Sequence, residues 1–114
     1  MNVTKEEFKQ LVMEHPTIKA SGIGGVNDIE FEDFEKSVKW MSENLKPSPT
    51  YKVESYELKH LIENSVGGYI PNGAAIMAGY FLKIPQKSYK NSLNTKLRVK
   101  YSKEAKIRYF GYNH

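Results

Sequence analysis

Apolar residues recur at helical spacing through the first half of the chain. Phe8, Leu11 and Val12 fall at i, i+3 and i+4, behind a Thr4…Glu7 pair that reads as a capping box. Pro16 disfavours helical geometry at the residue before it, so this helix should end near His15. Residues 16–27 hold Gly22, Gly24 and Gly25 among polar neighbours and predict a loop with a β-turn. A phosphate cradle is a poorer reading, because no apolar strand leads in and the G-x-G-x-x-G spacing is absent. Phe31, Phe34, Val38, Met41 and Leu45 then step by 3, 4, 3 and 4, with Trp40 on the flank. That heptad seam predicts the main core helix of a small bundle, capped by Asn27 or Asp28 and ended by Lys46-Pro47-Ser48-Pro49.

The next stretch, residues 54–84, predicts two helices around a glycine turn. Ser55 is positioned to cap the first, whose stripe is Leu58, Leu61 and Ile62 and whose left-handed stop is Gly67-Gly68. Asn72 is positioned to cap the second, which is apolar almost all round from Ala74 to Leu82 and should be buried on most sides. Residues 86–95 read as a polar loop. From there the period changes to two. Leu97, Val99 and Tyr101 alternate with Lys96, Arg98 and Lys100, and Ile107 and Tyr109 alternate with Lys106, Arg108 and Phe110. Two such runs around Ser102-Lys103-Glu104 predict a basic β-hairpin over residues 95–112, with Lys100 opposite Lys106 and Arg98 opposite Arg108 or in a register shifted by two residues. The expected fold is a single α+β domain: about four helices with a helix-turn-helix-like centre, then a C-terminal hairpin, a winged-helix-like layout.

Charge sharpens this picture. Residues 1–63 hold 12 acids against 8 lysines, whereas residues 64–114 hold one acid against 9 lysines and arginines. Such asymmetry suggests an anionic partner for the basic part, or docking of one part on the other. The 114 residues contain no cysteine, which excludes a disulfide framework, a thiolate zinc site and a cysteine nucleophile. The opening MNVTKEEFKQ predicts no secretory signal, and no window suits a membrane span, so the expected location is the cytoplasm.

Candidate chemistry follows the cations. A basic surface interleaved with aromatic rings suits phosphates and stacked bases. The candidate nucleic-acid-binding residues are Lys83, Lys87, Lys90, Lys96, Arg98, Lys100, Lys106 and Arg108, with Tyr89 and Phe110 as stacking platforms. Tyr101, Tyr109 and Tyr112 lie among them. A recognition helix needs polar side chains near its start, and residues 72–83 offer only Asn72 and Lys83, so contact should be largely independent of base sequence. The catalytic search is negative. His15, His60 and His114 are far apart, Glu57, His60 and Glu63 spread too widely round a helix for one ion, and Asp33 and Glu35 point apart. No enzyme, cofactor or metal is expected.

The string Ser55-Tyr56-x-Leu58-Lys59-His60-x-x-Glu63, followed by Gly68-Tyr69-Ile70-x-Asn72-Gly73 and Ala78, resembles a motif in small uncharacterised proteins of phages and other bacterial mobile elements. This copy departs from it at Glu57, where related stretches carry Gly. The resemblance implies no assigned activity. It points toward a mobile-element accessory protein that binds nucleic acid. The alternative is a protein-binding inhibitor of a host defence or replication enzyme, as anti-CRISPR proteins are. A monomer and a homodimer joined through the heptad seam are both compatible with the pattern.

Overall fold

The computed structural model describes residues 2–111. Its helices are α1 (Lys5–Glu14), α2 (Phe31–Asn44), α3 (Ser55–Val66), α4 (Asn72–Phe81) and α5 (Lys103–Phe110). Its short strands are β1 (Ile18–Lys19), β2 (Gly22–Ile23), β3 (Leu45–Pro47), β4 (Val53–Glu54), β5 (Gln86–Ser88), β6 (Thr95–Leu97) and β7 (Val99–Tyr101). All pairings are antiparallel: β1 with β2, β3 with β7, and β6 between β4 and β5. The result is an α+β domain of five helices and small antiparallel sheets among the described residues.

The capping box sets the start of α1. Glu7 N–H donates to Thr4 Oγ1 at 3.1 Å and Thr4 N–H to Glu7 Oε1 at 2.9 Å. At the far end α3 stops at Gly67 in the left-handed conformation, as expected of a glycine there. Three predicted caps have other work. Glu30, not Asn27 or Asp28, precedes α2. Ser55 is already helical, and its buried Oγ accepts Thr95 N–H at 3.0 Å, which ties α3 to β6. Pro71 precedes α4, so Asn72 turns its amide outward from the helix to Ser21 O, Leu93 O and Asn94 Oδ1.

The core is built around α4. Asn72 to Gly79 are all buried, because α4 meets α1, α2, α3 and the β1–β2 hairpin. The heptad seam of α2 lies against it, with Phe34, Val38 and Met41 fully enclosed. Aromatic rings stitch α1, α2 and α4 together, Phe8 to Phe34 at 4.8 Å and Phe34 to Phe81 at 5.6 Å between centroids. The seam is thus spent inside the chain. Close approach to α4 has a steric condition at Gly73, where a Cβ would sit 1.8 Å from Lys19 O. The loop expected over residues 16–27 therefore includes a small hairpin laid on the start of α4, and Gly73 N–H donates to Ala20 O at 2.8 Å.

The C-terminal hairpin is corrected. Residues 95–101 are extended, with Thr95, Leu97 and Val99 buried as the alternation requires, but they split at Arg98 into strands of two sheets. Their partners are β3, β4 and β5, not residues 105–110. Residues 103–110 form α5 instead. Ser102 Oγ caps it by accepting Ala105 N–H at 3.1 Å, and Gly111 ends it in the left-handed conformation. Ala105 and Tyr109, one turn apart, carry its inner face, and Trp40 Nε1 donates to Tyr109 Oη at 3.3 Å. The run read as a polar loop over 86–95 likewise contains β5 and begins β6. Among the described residues a helix thus stands where the wing was expected, and the helix count there is one higher than expected.

Candidate nucleic-acid interface

Register decides where the cations stand. Across the β5–β6 ladder Lys87 is directly opposite Lys96, and across β3–β7 Lys46 is directly opposite Lys100. Opposed residues of an antiparallel pair project from the same face, so each ladder starts two lysine side chains from neighbouring positions on one face. Such like-charge pairs cost stability. Among the described residues none of Lys46, Lys83, Lys87, Lys96, Arg98 or Lys100 forms an ion pair. Glu54 stands opposite Lys96 on its other side, without salt-bridge contact.

Tyrosine rings lie beneath part of this charge. Lys87 Nζ is 4.6 Å from the Tyr51 centroid, and Lys96 Nζ is 5.6 Å from that of Tyr89. Lys46, Lys83 and Arg98 border one cleft of about 520 Å³, floored by Met41, Ile84 and Val99. Lys83 reaches it from an unusual backbone position. With φ of 62° it occupies the left-handed site that closes α4, where Ile84 N–H donates to Gly79 O and Lys83 N–H to Tyr80 O.

The structure therefore gathers Lys83, Lys87, Tyr89, Lys96, Arg98 and Lys100 on or beside the small sheets. Lys90 is exposed in the connection after β5. Lys106 and Arg108 stand apart on α5, exposed, because their segment is helical; Arg108 lies over the Tyr109 ring at 5.9 Å. Phe110 packs its ring 5.1 Å from Tyr101. Burial, reinforced by the bond to Glu57 Oε2 at 2.6 Å, pushes the Tyr101 hydroxyl well above its usual range. Tyr112 lies outside the described residues. Sequence reasoning missed Lys46, which it placed in the connector after the core helix, and Tyr51, which it placed at the start of a short strand. The signal available for Lys46 was its place beside Leu45, the last residue of a buried seam.

The residues of the Ser55–Ala78 motif also converge. Lys59 is buried and its Nζ donates to Glu63 Oε1 at 2.6 Å, while His60 Nδ1 lies 3.1 Å from Glu63 Oε2 and Ile70 N–H donates to Oε1 at 3.2 Å. Burial pushes the Glu63 carboxyl up, but the bonds from Lys59 and Ile70, the Lys59 charge and the His60 contact outweigh it, and its pKa lies below the usual value. Glu63 thus serves Lys59 and the turn into α4, while Glu57 serves Tyr101. Among the described residues no group of three His, Asp or Glu side chains is placed to hold a metal ion. None of the helices there is long and apolar enough to cross a membrane. In comparisons with known proteins, no family model, curated protein or solved structure matches the chain.

Proposed function

We propose that the protein binds nucleic acid through the cations of its small sheets, without catalysis and largely without reading base sequence, as an accessory protein of a mobile element acting in the cytoplasm. The observation that carries this reading is the pair of like-charged registers, Lys46 opposite Lys100 and Lys87 opposite Lys96, with no carboxylate in ion-pair contact. A chain gains nothing for its own fold by opposing ammonium groups. A polyanion laid across them converts the repulsion into counterion release. The tyrosines beneath Lys87 and Lys96 add flat surfaces suited to unstacked bases. The motif resemblance supports the mobile-element setting.

The test is fluorescence anisotropy of labelled single- and double-stranded oligonucleotides at low and moderate salt. The expected result is micromolar or tighter binding whose logarithm falls with log salt by roughly 0.7–0.9 per phosphate neutralised. Lys87→Ala with Lys96→Ala should lower that slope and the affinity for every sequence. Absence of binding to either strand form at low salt refutes the reading. The same cations would then face an acidic protein surface, as an inhibitor of a nucleic-acid-processing enzyme requires.

A further inference from the structure

A second recess lies between α3 and the connection from β5 to β6, with a volume of about 630 Å³ and walls that include Tyr56, Lys59, Tyr69, Asn72, Ser92 and Asn94. Its chemistry differs from that of the basic cleft. Tyr69 is 72% exposed and Tyr56 49% exposed, so two large aromatic side chains stand in solvent on a small protein. Both are held in place from within. Lys59 Nζ lies 4.6 Å from the Tyr69 centroid and 5.6 Å from that of Tyr56, and His60 meets the Tyr56 ring edge-on at 4.5 Å.

The cation under these rings offers little to an anion. Glu63 already neutralises it at 2.6 Å, and the ammonium is buried. What remains for a ligand is flat aromatic surface facing a polar wall. That wall is fixed rather than loose. Asn72 donates to Leu93 O at 3.2 Å and to Asn94 Oδ1 at 2.9 Å, and Asn94 N–H donates to Ser92 Oγ at 3.1 Å. Fixed amides and hydroxyls opposite a ring suit a planar heterocycle with hydrogen-bonding edges. From Asn94 to Lys96 is two residues, roughly 7 Å along extended chain. A group in the recess is therefore about one nucleotide away from the cation pair of Lys87 and Lys96.

We infer that this recess takes one unpaired nucleobase, stacked on Tyr69 or Tyr56, from a strand whose phosphates cross Lys87 and Lys96. The inference rests on the nucleic-acid reading for its partner, and makes the protein prefer single strands or loops to duplex.

Two measurements test it. In the first, a twelve-nucleotide oligothymidine and an abasic strand of equal length and charge are compared by anisotropy. The base-bearing strand should bind at least about fivefold more tightly, the smaller effect of one stacked base. Tyr69→Ala with Tyr56→Ala should lower that preference by about fivefold or more, leaving only what Tyr51 and Tyr89 contribute, with abasic-strand affinity and its salt slope unchanged, and Tyr69→Trp should keep it. In the second, uncharged uridine or adenosine is titrated at millimolar concentration and backbone amide shifts are followed by NMR. Shifts centred on residues 56, 69 and 91–94 support the recess even if no oligonucleotide binds, in which case only the phosphate surface fails. Equal affinity for base-bearing and abasic strands, or no nucleoside shifts at the recess, overturns it and leaves the phosphate reading standing.

Discussion

Lys83 is the position where fold and ligand should pull in opposite directions. It closes α4 in the left-handed conformation at φ of 62°, a site that glycine occupies without steric penalty. For an L side chain that backbone costs about 1–2 kcal/mol. Glycine would lose roughly 0.4–1 kcal/mol more unfolded-state entropy. The difference leaves Lys83→Gly more stable by about 0.5–1 kcal/mol, or a Tm higher by roughly 2–5 °C in a domain of this size. The same change removes a cation from the cleft shared with Lys46 and Arg98. Affinity for an oligonucleotide should fall severalfold at low salt and the salt slope by roughly one phosphate's share. Urea unfolding reads the first effect as a higher midpoint at unchanged m, and anisotropy reads the second. Lys83→Ala is the control, since it keeps the strained backbone and loses only the charge. If Lys83→Gly destabilises the protein, the strain argument is wrong. If it stabilises without weakening binding, the lysine is not kept for an anionic partner.

Other substitutions probe the remaining contacts. Gly73→Ala drives a methyl group into Lys19 O, so it should cost more than about 2 kcal/mol in urea unfolding; a neutral result would show that the β1–β2 hairpin does not bear on α4. Glu63→Gln leaves the buried Lys59 ammonium without its counter-charge and should cost about 2 kcal/mol, part of which Lys59→Met in the same chain restores. The folded Glu63 pKa lies below its unfolded value of 4.5, so its stabilisation is full above that pH and is lost as pH falls further. Thermal melts from pH 6 to 3 should show wild type losing more stability than Glu63→Gln. Leu97→Ala should cost about 3 kcal/mol, because the side chain is fully enclosed and the cavity cannot collapse against paired strands.

Helices α1 to α4 were legible because each announces itself locally. The Thr4–Glu7 box, the Phe34–Val38–Met41 stripe, the Gly67 stop and the apolar run of α4 all depend on neighbours within a turn or two. The strands were not, because two- and three-residue pairings such as Val53 with Leu97 are decided by residues distant in sequence. The alternation over 95–101 correctly gave the inner and outer sets but could not name the partner strands. Over 105–110 it misled, since Ile107, expected on the inner face with Tyr109, is exposed on a helix. There the cap signals at Ser102 and Gly111 carried the better information. The alternation of Lys96, Arg98 and Lys100 with the buried set was legible as well, although as one arm of a hairpin. The opposition of Lys100 to Lys46 and of Lys96 to Lys87 follows only from the fold.

The seven residues from Thr95 to Tyr101 are the partners of β3, β4 and β5 alike. A ribosome makes them after every strand they join. Until Thr95 emerges, β3, β4 and β5 have no ladder to enter, and the helices made earlier lack the wall that Leu97 and Val99 supply. The closing contacts span as much as Leu45 to Tyr101, a separation that slows closure relative to a bundle of neighbouring helices. Completion of the fold thus waits for this segment: a nascent chain stalled before it exposes apolar α4 surface to chaperones and proteases, and emergence of these seven residues ends that exposure.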